Sequence, residues 1–221
     1  MSTIPATERT TLKRLPERGE FDRDTINAIL DEGILCHLAI VHNGSPVVIP
    51  TLYGRDSDEL IIHGSPASRA MRTARGGIEV CVNITLIDGI VVARSGFHSS
   101  MNYRSVTIFG RAVEVTELEE KMRLLSTVID HVIPDRTSTA RAMTKKEVQA
   151  TMVLRLPIQE VSAKVRTGWP HDEPEDYDEP VWAGVIPVYT TFGTPLADPD
   201  LRVSVDVPDA VAAYQRPGGT T

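Results

Sequence analysis

Long apolar runs are missing from this 221-residue chain, and none approaches the roughly 18 residues that a bilayer-spanning helix needs. No apolar leader segment follows the opening M-S-T-I-P-A-T-E-R either, so the expectation is a cytoplasmic protein with no membrane partner. Cysteine is scarce. Cys36 and Cys81 each sit in an apolar run and form no C-x-x-C pair, which excludes a disulfide scaffold and predicts two buried, reduced thiols. Positive charge is also short. The 23 Lys and Arg against 30 Asp and Glu leave a net charge of −7, whereas a nucleic-acid partner demands a basic surface. The sequence has no G-x-x-x-x-G-K-[ST], no G-x-G-x-x-G after a strand, no G-x-S-x-G and no H-E-x-x-H. The six histidines, at 37, 42, 63, 98, 131 and 171, show no metal-ligand spacing, and the adjacent Cys36 and His37 would point to opposite faces of a strand. No metal site is expected.

What is present is a soluble, globular composition with 41% hydrophobic residues. Residues 1–19 are polar and aperiodic and read as a flexible N-terminal arm; 20–190 read as the folded domain; 191–221 read as a C-terminal extension. Asp22 is a candidate N-cap for a helix over Asp24–Glu32, with Ile26, Ile29 and Leu30 on one face and Gly33 as its stop. Ile34–His42 and Pro46–Tyr53 read as a hairpin, and Pro50 places its strand at a sheet edge or bulge, where a ladder bond is missing. A strand ending at His63 leads to a helix from Pro66 to about Ala74, closed by Gly76-Gly77. Ile78–Leu86 and Ile90–Phe97 read as strands joined by an Asp88-Gly89 turn. Tyr103–Val115 reads as a strand with a bulge at Gly110. A helix over Thr116–Val132 is predicted to start on a Thr116/Glu119 capping box. A short helix near Lys145–Gln149 and a long strand over Thr151–Arg166 follow, and the apolar Val181–Val188 is expected to be buried. The predicted class is α+β, an antiparallel sheet of about six strands closing into a small barrel with peripheral helices.

Two polar clusters could carry chemistry. In Glu59–Arg72 (E-L-I-I-H-G-S-P-A-S-R-A-M-R) a strand end turns into a helix start at Ser65, the expected N-cap, with Ser68 and Arg69 in the first turn. Free N–H groups and a guanidinium there suit a phosphate, although an ordinary capped helix has the same pattern. In His98–Ser105 (H-S-S-M-N-Y-R-S) hydroxyls, an amide and a guanidinium crowd a strand entry. Either this is a wet loop at a barrel mouth, or Arg104 and Ser105 form a second wall of one anion pocket.

Four stretches, V-V-I-P-T at 47–51, I-I-H-G-S-P-A-S-R at 61–69, N-Y-R-S-V-T-I-F-G-R-A at 102–112 and P-V-W-A-G-V-I-P at 180–187, together resemble the pyridoxamine 5'-phosphate oxidase-related FMN-binding proteins. The flavin-nucleotide-binding, nitroimidazole-resistance-like branch is the nearest in pattern. The resemblance implies a split β-barrel that forms a homodimer with FMN at the interface. It implies that Val48, Ile49, Pro50 and Thr51 offer strand backbone to the isoalloxazine, that Ser68 and Arg69 hold the phosphate, and that His63 falls near the ribityl chain, with Ser65 also among the cofactor-binding residues. It further implies contacts from Asn102, Arg104 and Ser105, and from Trp182 of the second subunit. Ser105 stands where the family carries Gln, and Ala70 where the oxidase carries Lys. No Arg-x-His pair follows the Trp motif, so the resemblance does not extend to pyridoxamine phosphate as substrate.

The implied function is an FMN-dependent oxidoreductase acting on a small molecule by hydride transfer through the flavin, with Tyr53 and His98 as candidates for the substrate face. A deazaflavin would pose the same phosphate-binding problem. The alternative is a non-enzymatic flavin- or haem-binding carrier or sensor, with His63 or His98 as an iron ligand.

Overall fold

A computed structural model describes residues 2–75, 77 and 79–215. The order of elements is β1 (Gly19–Glu20), α1 (Arg23–Glu32), β2 (Leu35–His42), β3 (Ser45–Asp56), β4 (Glu59–Gly64) and α2 (Arg69–Arg75). Then come β5 (Glu79–Val92), β6 (Ser100–Arg111), β7 (Val113–Glu114), α3 (Leu118–Val132), α4 (Arg136–Thr139) and α5 (Lys145–Gln149). The chain closes with β8 (Met152–Pro157), β9 (Glu160–Arg166), β10 (Gly184–Pro187) and α6 (Asp209–Ala212). All pairings are antiparallel, in the order β1-β9-β6-β5-β2-β3-β4-β8-β7, with β10 added to β5. The α+β antiparallel class is the one expected; the described residues hold ten strands rather than six.

Two apolar layers hold the sheet. Inside it, Leu38, Ile62, Val82, Ile84, Ile108, Leu156 and Val161 pack together under Ile26, Ile29 and Leu30 of α1. Asp22 starts α1 as predicted, accepting from Thr25 N at 3.0 Å. Outside the β4–β8 corner, Leu124, Leu125 and Val128 of α3 and Val148 of α5 cover Ile61 and Val153. Strand β4 is therefore buried on both faces. Leu60 and Ile62 point inward and Ile61 outward, which accounts for an unbroken apolar run where a half-buried strand would alternate. Strand β3 meets α3 at Gly54, where an added Cβ would lie 2.9 Å from Val128 Cα, so the helix rests directly on strand backbone.

Several boundaries differ from the sequence expectation. Asp88-Gly89 is not a hairpin turn: β5 runs through it as one 14-residue strand, with a register shift against β6 between Ile87 and Gly89. A two-residue hairpin turn needs positive φ, and neither residue has it. Glycine is required there because β10 comes so close that a Cβ would meet Val185 Cγ1 at 2.9 Å. Gly110 is not a bulge but pairs in register with Val80, with Leu156 over its bare Cα. The Thr116/Glu119 capping box does not form. Val115 N is held by Val153 O at 2.9 Å, and the helix starts two residues later than expected, after Glu117. Thr151–Arg166 is two strands, split at Ile158, whose N–H bonds Asp58 O at 2.8 Å. The Val181–Val188 segment is not buried: it pairs with β5 as β10, but Val181, Trp182 and Ile186 stay about half exposed or more. Gly76 lies outside the described residues; Gly77 has φ +67°.

Residues 2–11 run along the barrel. Ile4 is buried, and Arg9 pairs with Glu79 at 2.9 Å and with Glu160 while stacking on Phe109. Among the described residues no helix is long and apolar enough to cross a membrane.

Candidate functional site

Strand β3 changes partners midway. Ser45–Leu52 pairs with β2 and Tyr53–Asp56 with β4. Over Ser45–Leu52 no described strand pairs with its other edge, the missing ladder that Pro50 predicts. Val48 and Pro50 point outward and are exposed, while Ile49 and Thr51 are half-buried and turn inward.

Beside this edge, at the corner where β4 meets α2, lies a cavity of about 100 Å³. Leu38, Ile49, Ala70 and Met71 form its apolar floor, and Thr51, His63, Ser65 and Ser68 bring polar groups. The corner is built locally. Ser68 N bonds Ser65 O at 2.9 Å, which closes a β-turn with Pro66 at the position that favours proline. Ser65 Oγ accepts from Ala67 N at 3.2 Å. The helix begins at Arg69 rather than Pro66, and it is Ser68, not Ser65, whose carbonyl receives the first helical bond, from Arg72 N at 3.0 Å. Ser-Pro-Ala-Ser can be read either as a helix start or as a turn, and here the turn forms. Arg69, next to Ser68 in sequence, is exposed, is not among the residues lining the cavity, and enters no ion pair among the described residues.

His63 Nδ1 is buried without a hydrogen-bond partner. Burial lowers the imidazole's pKa below its ordinary value, so the ring is neutral at pH 7 and one nitrogen is an acceptor. An unpaired buried acceptor costs roughly 1–3 kcal/mol, which a ligand donor or a metal would recover. The cavity holds a group the size of a phosphate but is too small for a tricyclic ring, since small-molecule sites run to several hundred Å³. The rest of any larger ligand has to lie outside, along the open edge of β3.

The second sequence cluster is not part of this cavity. Arg104 on β6 is clamped between two carboxylates, with Nη2 2.8 Å from Asp88 Oδ1 and Nη1 2.5 Å from Glu32 Oε2. These partners raise its pKa still further. Ser105 Oγ donates weakly to Lys164 O at 3.4 Å. Asn102 is buried and bridges Arg166 to Gly168 O. Trp182 packs on Gly184, where a Cβ would come within 2.8 Å of the ring, and is otherwise exposed. Tyr53 faces the core rather than a substrate: it is fully buried, its hydroxyl donates to Leu30 O at 2.6 Å, and the His131 ring lies 4.8 Å away. His98 sits in a 3-10 turn, with Nε2 3.8 Å from Glu173 Oε1. Sequence reasoning missed Leu38 and Met71, whose apolar character carries no signal that they line a cavity. Among the described residues no group of three His, Cys, Asp or Glu is placed to hold a metal ion.

Residues 22–165 match the family model described as pyridoxamine 5'-phosphate oxidase. Among solved structures, the chain is similar to the flavocytochrome Anf3 from Azotobacter vinelandii, with 37% identity, TM-score 0.89, and 94% of this chain and 97% of that one covered. It is also similar to an FAD- and haem-binding protein from Mycobacterium smegmatis, with 40% identity, TM-score 0.84, and 88% and 95% covered. A candidate 5-nitroimidazole antibiotic resistance protein from Bacteroides thetaiotaomicron shares the fold, with 23% identity, TM-score 0.56, and 65% and 84% covered. Among curated proteins, none matches the chain significantly.

Proposed function

Because the chain belongs to the pyridoxamine 5'-phosphate oxidase family of flavin-binding split barrels, we propose that the β4–α2 corner holds the phosphate of a flavin nucleotide, with the isoalloxazine along the open edge of β3. The observation that carries this reading is the juxtaposition itself: a phosphate-sized cavity with three hydroxyls (Thr51, Ser65, Ser68) opens beside eight residues of strand whose second edge is unpaired. Ser65 and Ser68 donate to the phosphate, Arg69 adds a charge-assisted contact from the rim, and the backbone of Val48–Thr51 lines the ring edge. The group recognised is the FMN portion, which FMN and FAD share. A bound flavin supplies hydride and electron transfer, so the protein needs only to bind, orient and exclude water, and acts as an oxidoreductase on a small molecule.

The site is completed by a second copy. The outer face of β2, β3 and β5 carries Leu35, Val48, Leu52, Ile87 and Ile90, each 40–60% exposed, apolar side chains that a second subunit would cover. Covering it with a second subunit forms a homodimer and brings that subunit's Trp182 toward the flavin. Cofactor extraction and chromatography test the first claim and separate FMN from FAD. A colourless protein that takes up neither flavin overturns it. A protein that is monomeric by light scattering while fully flavin-loaded overturns the shared site.

Haem binding alongside the flavin is a second reading, favoured by two structural relatives. The Mycobacterium smegmatis relative is an FAD- and haem-binding protein, and the Azotobacter vinelandii relative is a flavocytochrome. A Soret band beside the flavin bands of the purified protein supports it; a flavin-loaded protein that shows no Soret band even after haem is added overturns it.

A further inference from the structure

The far end of β9 buries a guanidinium that no carboxylate among the described residues neutralises. Arg166 is only 7% exposed. Its Nη1 donates to Asn102 Oδ1, and Asn102 Nδ2 donates in turn to Gly168 O at 3.0 Å, so the amide is fixed with its oxygen toward the arginine. A neutral amide orients the charge but does not cancel it. Arg55 and Arg104, by contrast, each hold carboxylates in direct ion pairs. Burial, and after it the like charge of Arg18, make the guanidinium easier to deprotonate than usual.

Arg166 and Arg18 line one cavity of about 290 Å³, with Glu17, Val165, Thr167 and His171. Two guanidiniums, an imidazole and a hydroxyl therefore converge on it. The single carboxylate in the lining, Glu17, is exposed and pairs with neither arginine among the described residues. A buried, unpaired charge costs several kcal/mol, and a chain of net charge −7 has carboxylates to spare elsewhere. The cavity shares no lining residue with the β4–α2 corner.

We infer that the Arg18–Arg166–His171 cavity is a second anion site, built for a phosphoryl group. The phosphoryl group belongs either to a free small phosphate or to a larger phosphorylated molecule other than the flavin, whose own phosphate lies at the β4–α2 corner. The 290 Å³ volume admits more than a lone ion, so the group arrives on a larger molecule or with ordered water. Arg166 is the fixed anchor, preset by Asn102, and Arg18 and His171 close on the anion from the rim.

Calorimetry and thermal unfolding of the full-length protein as purified, titrated with inorganic phosphate and with pyrophosphate, test the inference. Either anion should bind and raise Tm, and Arg18→Gln should weaken that binding at least tenfold. FMN affinity stays unchanged in Arg18→Gln, which separates failure of this site from failure of the flavin reading. Both flavins are spared in Arg18→Gln, and only phosphate and pyrophosphate binding falls; a free phosphate binds as tightly as pyrophosphate, whereas a larger phosphorylated source favours pyrophosphate. Arg166→Met provides the contrast with a purely structural arginine. It should abolish phosphate binding while holding or raising Tm in phosphate-free buffer, because it removes an uncompensated charge. The inference is overturned if neither anion binds the wild type, or if Arg18→Gln binds both as tightly as the wild type does. A wild type whose Tm ignores phosphate, with an Arg166→Met variant that merely melts lower, overturns it equally.

Discussion

Replacing Arg69 by alanine isolates the phosphate contact from the rest of the flavin site. Arg69 is exposed and its side chain enters no ion pair among the described residues, so removing it costs the folded apo-protein little. A charge-assisted hydrogen bond is worth about 1.5–3 kcal/mol, and an exposed donor at a screened surface belongs at the lower end, about 1.5–2 kcal/mol. That is roughly a 10- to 30-fold loss of FMN affinity. Fluorescence quenching of FMN measures it, with riboflavin, which lacks the phosphate, as the internal reference. Wild type should prefer FMN to riboflavin, and Arg69→Ala should shrink that preference by the same 10- to 30-fold while riboflavin binding holds. The loss should also narrow as salt rises, because an exposed contact is screened over about 10 Å at 0.1 M. Equal losses for FMN and riboflavin would mean that Arg69 acts on the fold or the ring. No loss for FMN would remove the phosphate from this corner altogether.

Other outcomes follow from packing and protonation. Gly54→Ala should destabilise the protein by about 1–3 kcal/mol, an overpacking cost, because the new methyl lands 2.9 Å from Val128 Cα and α3 must move; an unchanged chemical-denaturation midpoint would contradict the close approach. His63 has its pKa lowered on folding from 6.5, so the stability it contributes is present above about pH 6.5 and is lost as pH falls through the folded value. Between pH 7.5 and 5, wild type should therefore lose more stability than His63→Gln, and parallel pH profiles for the two would refute the assignment. Cys36 is fully buried and its thiol is pushed up to about 12, so iodoacetamide at pH 8 should leave it unlabelled in the native state and label it once urea is added, as peptide mass spectrometry would show.

The sequence made much of this legible where a local rule coincides with the tertiary outcome. Asp22 capping α1, the Ile26/Ile29/Leu30 stripe and the edge role of Pro50 are all set by residues within a few positions of one another. It misled where a local signal met a long-range partner. Asp88-Gly89 has turn chemistry, yet β6 pairs past it on one side and β10 on the other, and those ladders hold it extended. Thr116 has a capping partner three residues on, yet β8 claims the preceding N–H. At the site, Ser65, Ser68 and His63 are brought together because they are neighbours in sequence. Arg104 was not separable from them on paper, since nothing local reveals that Glu32 and Asp88, 72 and 16 residues away, occupy its guanidinium. Arg166 gave no signal, because its burial depends on which way the last residue of β9 faces.

The partner change in β3 also bears on what the protein does when empty. A strand with one free edge is a template for another strand, and eight such residues would ordinarily invite chain-to-chain association. Here positions 46 and 50 are both proline, in the same phase of the strand, and the register against β2 is unbroken across both. An incoming strand would find carbonyls along this edge but too few N–H groups to complete a ladder. The edge can thus remain open to a small ligand while refusing a neighbouring chain. Pro46→Ala and Pro50→Ala, harmless to the barrel itself, would be expected to cost the apo-protein its solubility before its stability.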